Sequence, residues 1–356
     1  MLLTRIMYAV RRTSQPDPLT ALLSKEQFER LLERERARSD RTGELFSLIV
    51  FQLGKTSDDQ QTLLHLAQIL KRRLRLTDDA GRLDRLQIGV FLPDTPASGA
   101  WTVADDVCVC VPAGLPLPDC HVYCYPSTPD GFNSSRELSD DDRQQRPVQP
   151  MDKFFSHRLP VWKRGIDIVG ASIGLLILSP LLVLLAGAIK LTSPGPVFFR
   201  QRRSGLAGRE FSIVKFRTMV NDAESQKHEL LDMNEQDGPA FKIANDPRVT
   251  YLGRWLRKTS VDELPQLWNV LRGEMSLVGP RPLPCQETAC CERWQRRRLD
   301  VTPGLTCIWQ VEGRSRVSFA EWARMDIRYI ASRSFWRDAI LLLRTAPAVL
   351  LRRGAV

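Results

Sequence analysis

The sequence predicts a mixed α/β chain in two parts, separated by one long apolar segment. The first 125 residues alternate apolar runs typical of strands with amphipathic helical patterns. A polar stretch at 126–150 follows. An uncharged run at 168–189 then precedes an arginine-rich region that extends to the C-terminus. These features predict a small α/β domain, a membrane segment and a second, mainly helical domain.

The composition limits the kinds of molecule that this protein is expected to bind. The chain has 356 residues and a net charge of +10, which favours phosphorylated substrates, anionic lipid or nucleic acid over a plain solvated basic surface. Because the basic residues are dispersed beside apolar segments, we expect no nucleic-acid partner. Eight cysteines do not suggest a disulfide scaffold, and the N-terminus is a poor signal peptide, so a reduced, cytoplasmic setting is expected.

Residues 18–125, after an N-terminal arm at 1–17, are predicted to form the small α/β domain. Helices are expected where apolar side chains recur at the helical period, and strands where β-branched and aromatic residues cluster. The clearest strand is "LFSLIVFQL" at 45–53. The predicted helices cover 24–38 and 62–76, and the predicted strands cover 45–53, 86–93, 107–111 and 122–125.

The cysteines of this domain admit two interpretations. Cys108 and Cys110, with Cys120, His121 and Cys124, supply side chains that ligate zinc. However, Cys108 and Cys110 fall at the period of a strand, and the spacing is not a usual zinc pattern. We therefore favour small buried apolar side chains.

The middle of the chain contains a linker and then the apolar segment. Residues 126–152 are polar and predict a linker. The run at 168–189 would form a helix of about 33 Å, long enough to span a bilayer. Proline removes a backbone donor, so a break or kink is expected at Ser179-Pro180. Lys and Arg flank both ends, which indicates that both ends are cytoplasmic. We predict a re-entrant helix hairpin at 153–192, with a single spanning helix as the alternative.

Two carboxylates, Asp262 and Glu263, stand side by side after Ser260. The conservative interpretation is a capping box between Ser260 and Glu263. Pro265 weakens it, because with Ser260 as the N-cap Pro265 would be the fifth helical residue and would need its missing N–H to bond the carbonyl of Val261. A start one or two residues later, near Val261 or Asp262, suits Pro265 better, and Asp262 as N-cap is then the stronger alternative. From the residues alone, capping and catalysis both remain open.

The region around this pair is rich in cations. Arginine offers a fork that matches phosphate oxygens, and lysine offers a point charge. Lys215 and Arg217 alternate along a predicted strand and therefore share a face, and two prolines hold the backbone of Arg281. The predicted phosphate-binding residues are Lys215, Arg217, Arg257, Arg281, Arg202 and Arg314, with a solvated charge as the alternative for each.

Five motifs follow in order from Lys163: "KRGIDIVGASIGLLILSP", "SPGPVFFRQRRSG", "FSIVKFRTM", "DPRVTYLGRWLRKTSVDELPQLWNVLRGEMSLVGPRP" and "TPGLTCIWQVEGRS". This series resembles the bacterial sugar transferases, the monotopic phosphoglycosyl transferases. The resemblance implies an enzyme that moves a sugar 1-phosphate from a UDP-sugar to undecaprenyl phosphate through a covalent intermediate on Asp262. It also implies that Asp262 and Glu263 hold Mg²⁺, and that the catalytic domain at 193–356 works on the cytoplasmic face of the bacterial inner membrane, initiating exopolysaccharide or related glycan synthesis.

The end of the chain, "SFWRDAILLLRTAPAVLLRR", mixes large apolar residues with arginine. This composition predicts a helix that contacts membrane lipid at the interface. A packed terminal helix of the catalytic domain is the alternative. The sequence leaves open whether the chain forms a homodimer or associates with downstream glycosyltransferases.

The N-terminal domain resembles a GGDEF-type nucleotidyl cyclase domain in "DPLTALLSKEQFERLLERERARS" and "RLDRLQIGVFLPDT". The cyclase signature should occupy 84–88, where this chain has "DRLQI". The glycines and the acidic pair are missing, which implies a degenerate domain that does not cyclise. An unrelated ferredoxin-like fold is the alternative. A non-catalytic, membrane-bound regulatory scaffold that binds a nucleotide second messenger or a partner protein is the alternative function.

Overall fold

The computed structural model describes residues 16–54, 59–126, 146–312 and 317–350. The chain forms two compact units, the first ending at Phe155 and the second beginning at Ser156. The first unit therefore extends past the predicted limit at 125. The reason is that residues 148–150, predicted as linker, form a strand that joins its sheet.

The first unit is a five-stranded sheet with helices. Strand β1 (Phe46–Gln52) lies at its centre and runs antiparallel to β3 (Gln87–Pro93) and to β4 (Asp119–Tyr125), while β5 (Val148–Pro150) pairs in parallel with β4. Helix α1 (Lys25–Thr42) begins after Ser24, which forms a capping box with Gln27, and is capped at its C-terminal end by Gly43 with φ +79°. The elements in order are α1 (Lys25–Thr42), β1 (Phe46–Gln52), α2 (Asp59–Arg73), β2 (Asp79–Asp84), β3 (Gln87–Pro93), α3 (Ala97–Val109), β4 (Asp119–Tyr125), β5 (Val148–Pro150) and α4 (Asp152–Phe155).

The strand predicted at 107–111 is wrong, because Val107 lies in α3 and packs, fully buried, in the core. Cys108 and Cys110 are therefore not alternate residues of a strand. Cys108 Sγ lies 3.6 Å from Cys120 Sγ, and Cys124 Sγ lies 3.1 Å from Ser47 Oγ. Among the described residues, no group of three or more His, Cys, Asp or Glu side chains is arranged to hold a metal ion. Strand β2 was not predicted, because its charged residues hide its pairing with β3.

The second unit is mainly helical with short sheets, as predicted. Strands β6 (Phe198–Ser204) and β7 (Glu210–Phe216) form an antiparallel pair, and β8 (Ser276–Val278) and β9 (Gly304–Thr306) form a parallel pair. Short 3₁₀ helices occupy Ser225–Met233, Val261–Gln266 and Arg293–Asp300. The remaining elements are α5 (Val161–Thr192), β6 (Phe198–Ser204), β7 (Glu210–Phe216), α6 (Tyr251–Lys258), α7 (Leu267–Arg272), β8 (Ser276–Val278), α8 (Cys285–Ala289), β9 (Gly304–Thr306), α9 (Ile308–Glu312), α10 (Phe319–Ala331) and α11 (Phe335–Leu350).

Helix α5 has 32 residues and contains Pro180 in its interior. By length and composition it is able to cross a membrane. The expected break at Ser179-Pro180 does not interrupt the helix. Pro180 lacks the N–H that would bond the carbonyl four residues earlier, which belongs to Leu176. The hydroxyl of Ser179 donates to that same carbonyl at 2.8 Å, so the lost hydrogen bond is replaced locally.

The first half of α5 is fixed to the second unit by buried polar contacts. Arg164 donates to the carbonyl oxygens of Val270 at 2.6 Å and Leu271 at 2.7 Å, near the end of α7, where a cation is favourable. The Asp167 carboxylate accepts from the backbone N–H of Leu277 at 2.9 Å. Lys163 forms a buried ion pair with Asp338 of α11.

The second half of α5 packs on the same unit through apolar contacts. Leu185 and Ile189 are buried in a cluster with Phe216 of β7 and Leu256 of α6. Both halves of the long helix therefore contact one unit. Large side chains on its other face, such as Leu176 and Ile177, are exposed.

Candidate active site

The second unit contains a cleft of about 870 Å³. Its wall includes Asp262 and Glu263, together with side chains from β6, β7 and the loop that carries Arg281. The predicted carboxylate pair and most of the predicted cations therefore meet in one cavity.

The pair lies in a 3₁₀ helix that begins at Val261 with Ser260 at its N-cap position, so Pro265 is the fifth residue of the helix rather than an earlier one. Ser260 adopts the left-handed conformation with φ +55°, and its side chain makes no capping hydrogen bond. The capping-box interpretation is therefore wrong. Asp262 is not the N-cap either, because it lies within the first helical turn.

Glu263 is clamped by Arg281. One guanidinium nitrogen, Nη1, donates to Glu263 Oε2 at 3.0 Å, and the other contacts Oε1, so the pairing is bidentate. Burial opposes ionisation of Glu263, but Arg281 holds the pKa of this carboxyl below its usual value. The backbone carbonyl of Arg281 accepts from Arg298 at 2.7 Å, and Arg298 pairs with buried Asp326 at 2.7 Å. These contacts hold the Arg281 loop in place.

Asp262 differs from its neighbour. The residue is only 6% exposed, and within the described part of the chain its carboxylate has no hydrogen bond or ion pair. Burial, together with the charge of Glu263, raises the pKa of Asp262 to about 6, while Lys215 and Arg257 act against this rise. Asp262 is thus mostly ionised at neutral pH, poorly solvated and free to react, which are the properties of a carboxylate nucleophile.

Two strand cations face the pair. The ammonium group of Lys215, on β7, lies 5.1 Å from the ring centroid of Phe199, and burial lowers its pKa to about 8. Arg203, on β6, was not predicted. It lines the cleft and donates to the carbonyl of Pro282, and burial, with the nearby Arg281, lowers its pKa to about 10.

Arg202, which was predicted instead, does not line the cleft. It is exposed and pairs with Glu210 at 3.5 Å. Side chains alternate along a strand, and Phe199 pairs with Lys215, so the face of β6 beside Lys215 carries residues 199, 201 and 203. The register of β6 on β7 would have identified Arg203.

The remaining predicted cations differ in their positions and contacts. Arg257 lines the cleft and donates to Thr218 Oγ1 at 2.9 Å. Arg217 also reaches the cleft wall, but its guanidinium donates to Ser193 O at 2.8 Å and to Asn221 Oδ1 at 3.0 Å. Arg217 therefore holds the loop that follows α5. Arg314 lies outside the described residues.

The carboxylate pair is compatible with Mg²⁺. This ion is commonly bound by one or two carboxylates together with substrate phosphates, so no larger cluster of protein ligands is required. A carboxylate has about four lone-pair positions, and Arg281 uses two of those on Glu263. Oxygens of Asp262 and Glu263 both remain to hold the ion beside a bound diphosphate.

Solved structures give a weak comparison for the first unit. The GGDEF domain structure of DgcB from Caulobacter crescentus, with its coiled coil, is 18% identical with a TM-score of 0.30, covering 34% of this chain and 75% of that one. The diguanylate cyclase SiaD from Pseudomonas aeruginosa is 22% identical with a TM-score of 0.28, covering 35% and 54%. At this level the similarity carries no argument, and the GGDEF-like interpretation stays a prediction.

Sequence relatives match the second unit. The galactosyl transferase CpsE of Streptococcus agalactiae is 44% identical over 204 residues, 57% of this chain and 45% of that protein. The exopolysaccharide production protein ExoY of Rhizobium meliloti is 41% identical over 197 residues, 54% and 87%. The UDP-glucose:undecaprenyl-phosphate glucose-1-phosphate transferase of Caulobacter vibrioides is 45% identical over 223 residues, 59% and 76%.

The chain thus spans less than half of the length of CpsE and most of the length of ExoY. The family model for bacterial sugar transferases matches residues 158–352, more than half of the chain and nearly the whole second unit. The expectation of a sugar-transferase enzyme is confirmed: the chain belongs to the bacterial sugar transferase family.

Proposed function

We propose that this protein transfers a sugar 1-phosphate from a UDP-sugar to undecaprenyl phosphate, as the first step of exopolysaccharide or related glycan synthesis. The observation that carries the proposal is the contrast within the carboxylate pair. Asp262 is buried and free, whereas Glu263 beside it is clamped by Arg281. The names of relatives, including undecaprenyl-phosphate galactose phosphotransferase, support the substrate class.

In the first step, an oxygen of Asp262 attacks the β-phosphorus of the UDP-sugar. A bond forms between this oxygen and phosphorus, and the bond to the bridging oxygen breaks, so UMP leaves with the electron pair. The product is an aspartyl phosphosugar. Lys215, Arg203 and Arg257 line the same cleft and offset the negative charge that the diphosphate brings.

In the second step, a phosphate oxygen of undecaprenyl phosphate attacks the same phosphorus. The bond to Asp262 breaks and the carboxylate is regenerated, with the sugar now on a lipid diphosphate. The acceptor phosphate is already ionised, so this step needs no strong base. Glu263 accordingly serves to position Arg281 and to share the ion rather than to remove a proton.

Mg²⁺, held by oxygens of Asp262 and Glu263 and by the substrate, would supply positive charge to the phosphate oxygens. The charge and the geometry of the site are maintained by residues of the chain itself. Arg281 keeps Glu263 ionised by lowering its pKa. The buried pair of Arg298 and Asp326 holds the Arg281 loop in its position beside the cleft.

Membrane association follows from α5, whose outward apolar face is uncovered within the second unit. Both halves of α5 pack on this unit, and Lys or Arg stands near each end. These contacts favour a course in which the uninterrupted helix lies against the second unit and enters only the cytoplasmic leaflet of the bacterial inner membrane, so that both ends stay on the cytoplasmic face. Reporter fusions before Lys153 and after Arg203 test this course, and reporters on opposite sides would contradict it.

The proposed reaction is tested with the purified full-length protein in detergent. We would measure UMP release from a panel of UDP-sugars, with and without undecaprenyl phosphate. Wild-type protein should release UMP from at least one of them, and sustained release should need the lipid. Asp262→Asn should abolish release, because an amide cannot act as the nucleophile.

The matched control is Asp232→Asn, the same chemical change on an exposed residue outside the cleft. It should retain wild-type turnover. Turnover in Asp262→Asn equal to that of the control would contradict the proposal.

A further inference from the structure

The cleft has two chemically different sides. One side carries polar and charged side chains, and they include Asn221, Glu224, Gln236, Lys242 and Arg248. On the other side lies an apolar wing. The apolar wing is lined by Leu277, Leu305, Thr306, Val311, Leu342 and Thr345.

The two threonines do not make the apolar wing polar. Thr345 Oγ1 donates to the carbonyl oxygen of Leu341 at 2.7 Å. The oxygens Thr306 Oγ1 and Thr345 Oγ1 lie 2.7 Å apart, so Thr306 donates to Thr345. Both hydroxyl protons are therefore used within the protein. A ligand in this wing meets aliphatic surface and methyl groups and finds no free hydroxyl donor.

The apolar wing lies between α5 and α11, both of which expose apolar surface. Leu277 packs against the cluster that contains Leu175 of α5 and also against the cluster that contains Leu341 of α11. On α11, the exposed fractions of Trp336 and Leu343 are 74% and 75%. The wing thus connects the reacting carboxylate with a surface suited to lipid.

We propose that the apolar wing holds the first isoprene units of the acceptor lipid, with α11 as one wall. This inference rests on the proposed function and adds the place of the acceptor. A prenyl phosphate fits the cleft at both ends, because its phosphate meets the cations Lys215 and Arg203 while its hydrocarbon meets Leu305 and Leu342. The uridine, ribose and sugar of the donor are polar, and the polar side offers them hydrogen-bonding partners that the wing lacks.

The two half-reactions allow the binding of the donor and the binding of the acceptor to be measured separately. Exchange of labelled UMP into a UDP-sugar, measured without lipid, reports the first step alone. The KM for a prenyl phosphate in the complete reaction reports the acceptor. We would compare Leu342→Trp, which fills the wing, with Leu343→Trp, the same change at the next residue on the exposed face of α11.

We expect Leu342→Trp to raise the KM for undecaprenyl phosphate about tenfold while UMP exchange persists. Leu343→Trp should match wild type in both measurements. Geranyl phosphate, with two isoprene units, should show the same rise in Leu342→Trp, because the wing holds the units nearest the phosphate.

Three results would overturn the inference. Loss of exchange in a folded Leu342→Trp protein would place the donor in the wing. An unchanged KM for both lipids would leave the wing without a role in acceptor binding. A rise in KM for undecaprenyl phosphate alone would indicate that the substitution acts on the distal part of the lipid, at the membrane face, and not in the wing.

If Leu342→Trp does not fold, Leu342→Gln, which is close in volume and polar, carries the same expectations. Absence of exchange in the wild-type protein would contradict the proposed function instead.

Discussion

Asp262→Asn should make the protein inactive and also more stable. Burial raises the pKa of Asp262 from an ordinary 3.8 to about 6. Between these two pH values the folded protein binds more protons than the unfolded chain, so the free energy of unfolding falls as pH rises through this window. The loss persists at neutral pH, where the folded protein carries a poorly solvated carboxylate.

The magnitude follows from the size of the pKa shift. A rise of about two pKa units corresponds to about 3 kcal/mol against the ionised carboxylate. Asparagine has nearly the same shape and no charge. At pH 7.5 we therefore expect the substitution to raise the free energy of unfolding by about 1–3 kcal/mol, which for a unit of this size raises Tm by several degrees.

The assay is thermal unfolding of full-length protein in detergent without Mg²⁺, followed from pH 4 to pH 8, and UMP release is measured separately with the ion present. The gain in Tm should grow between about pH 4 and pH 6, keep its full size above pH 6, and vanish near pH 4, where wild-type Asp262 is already protonated. Glu263→Gln should do the opposite and lower stability by about 2 kcal/mol, because it leaves Arg281 without its carboxylate. A fall in Tm for Asp262→Asn at pH 7.5 would refute the reasoning, and so would a gain for Glu263→Gln.

Three further results are expected. With Mg²⁺ on the carboxylate pair, UMP release should rise below pH 6, because the ion lowers the pKa of Asp262, and should fall above about 8, as Lys215 loses its proton; a rate that does not fall between pH 7 and 9 would contradict this. Arg203→Met should lower UMP release by about ten- to a hundredfold, whereas Arg202→Met, the same change outside the cleft, should leave the rate unchanged; equal effects would argue against Arg203 as a cleft cation. Gly195→Ala should lower the free energy of unfolding by about 1–3 kcal/mol, measured by denaturant titration. The reason is that φ of Gly195 is +117° and a Cβ there would collide with the buried guanidinium of Arg217. A variant as stable as wild type would show that the loop adapts.

Much of the fold could be predicted from local patterns. The strands at 45–53 and 86–93 were found, because apolar runs act within a few residues. The later helix start inferred from Pro265 was not found, because this segment forms a 3₁₀ helix directly after Ser260. The strand predicted at 107–111 failed because valine and cysteine at alternate positions also fit a buried helix end. Packing against the sheet decided between the two.

The sequence by itself determined the chemical inventory of this protein: an adjacent carboxylate pair, a set of arginines and lysines suited to phosphate, and a long uncharged segment. These follow from residue types and near neighbours in the chain. Which side chains work together was decided by the tertiary structure. Arg281 clamps Glu263 across 18 residues and leaves Asp262 free. The register of β6 on β7 brings Arg203 rather than Arg202 to the cleft.

The same distinction applies to the long helix. The missing N–H of Pro180 predicts a break or kink in the helix. The hydroxyl of Ser179 donates to the carbonyl that this N–H would have bonded, and the helix continues. Composition identifies its apolar character, but the exposed face is set by the buried contacts of Arg164 and Asp167 with distant parts of the chain. Such contacts join residues more than 100 positions apart, and they exist only once the second unit has folded.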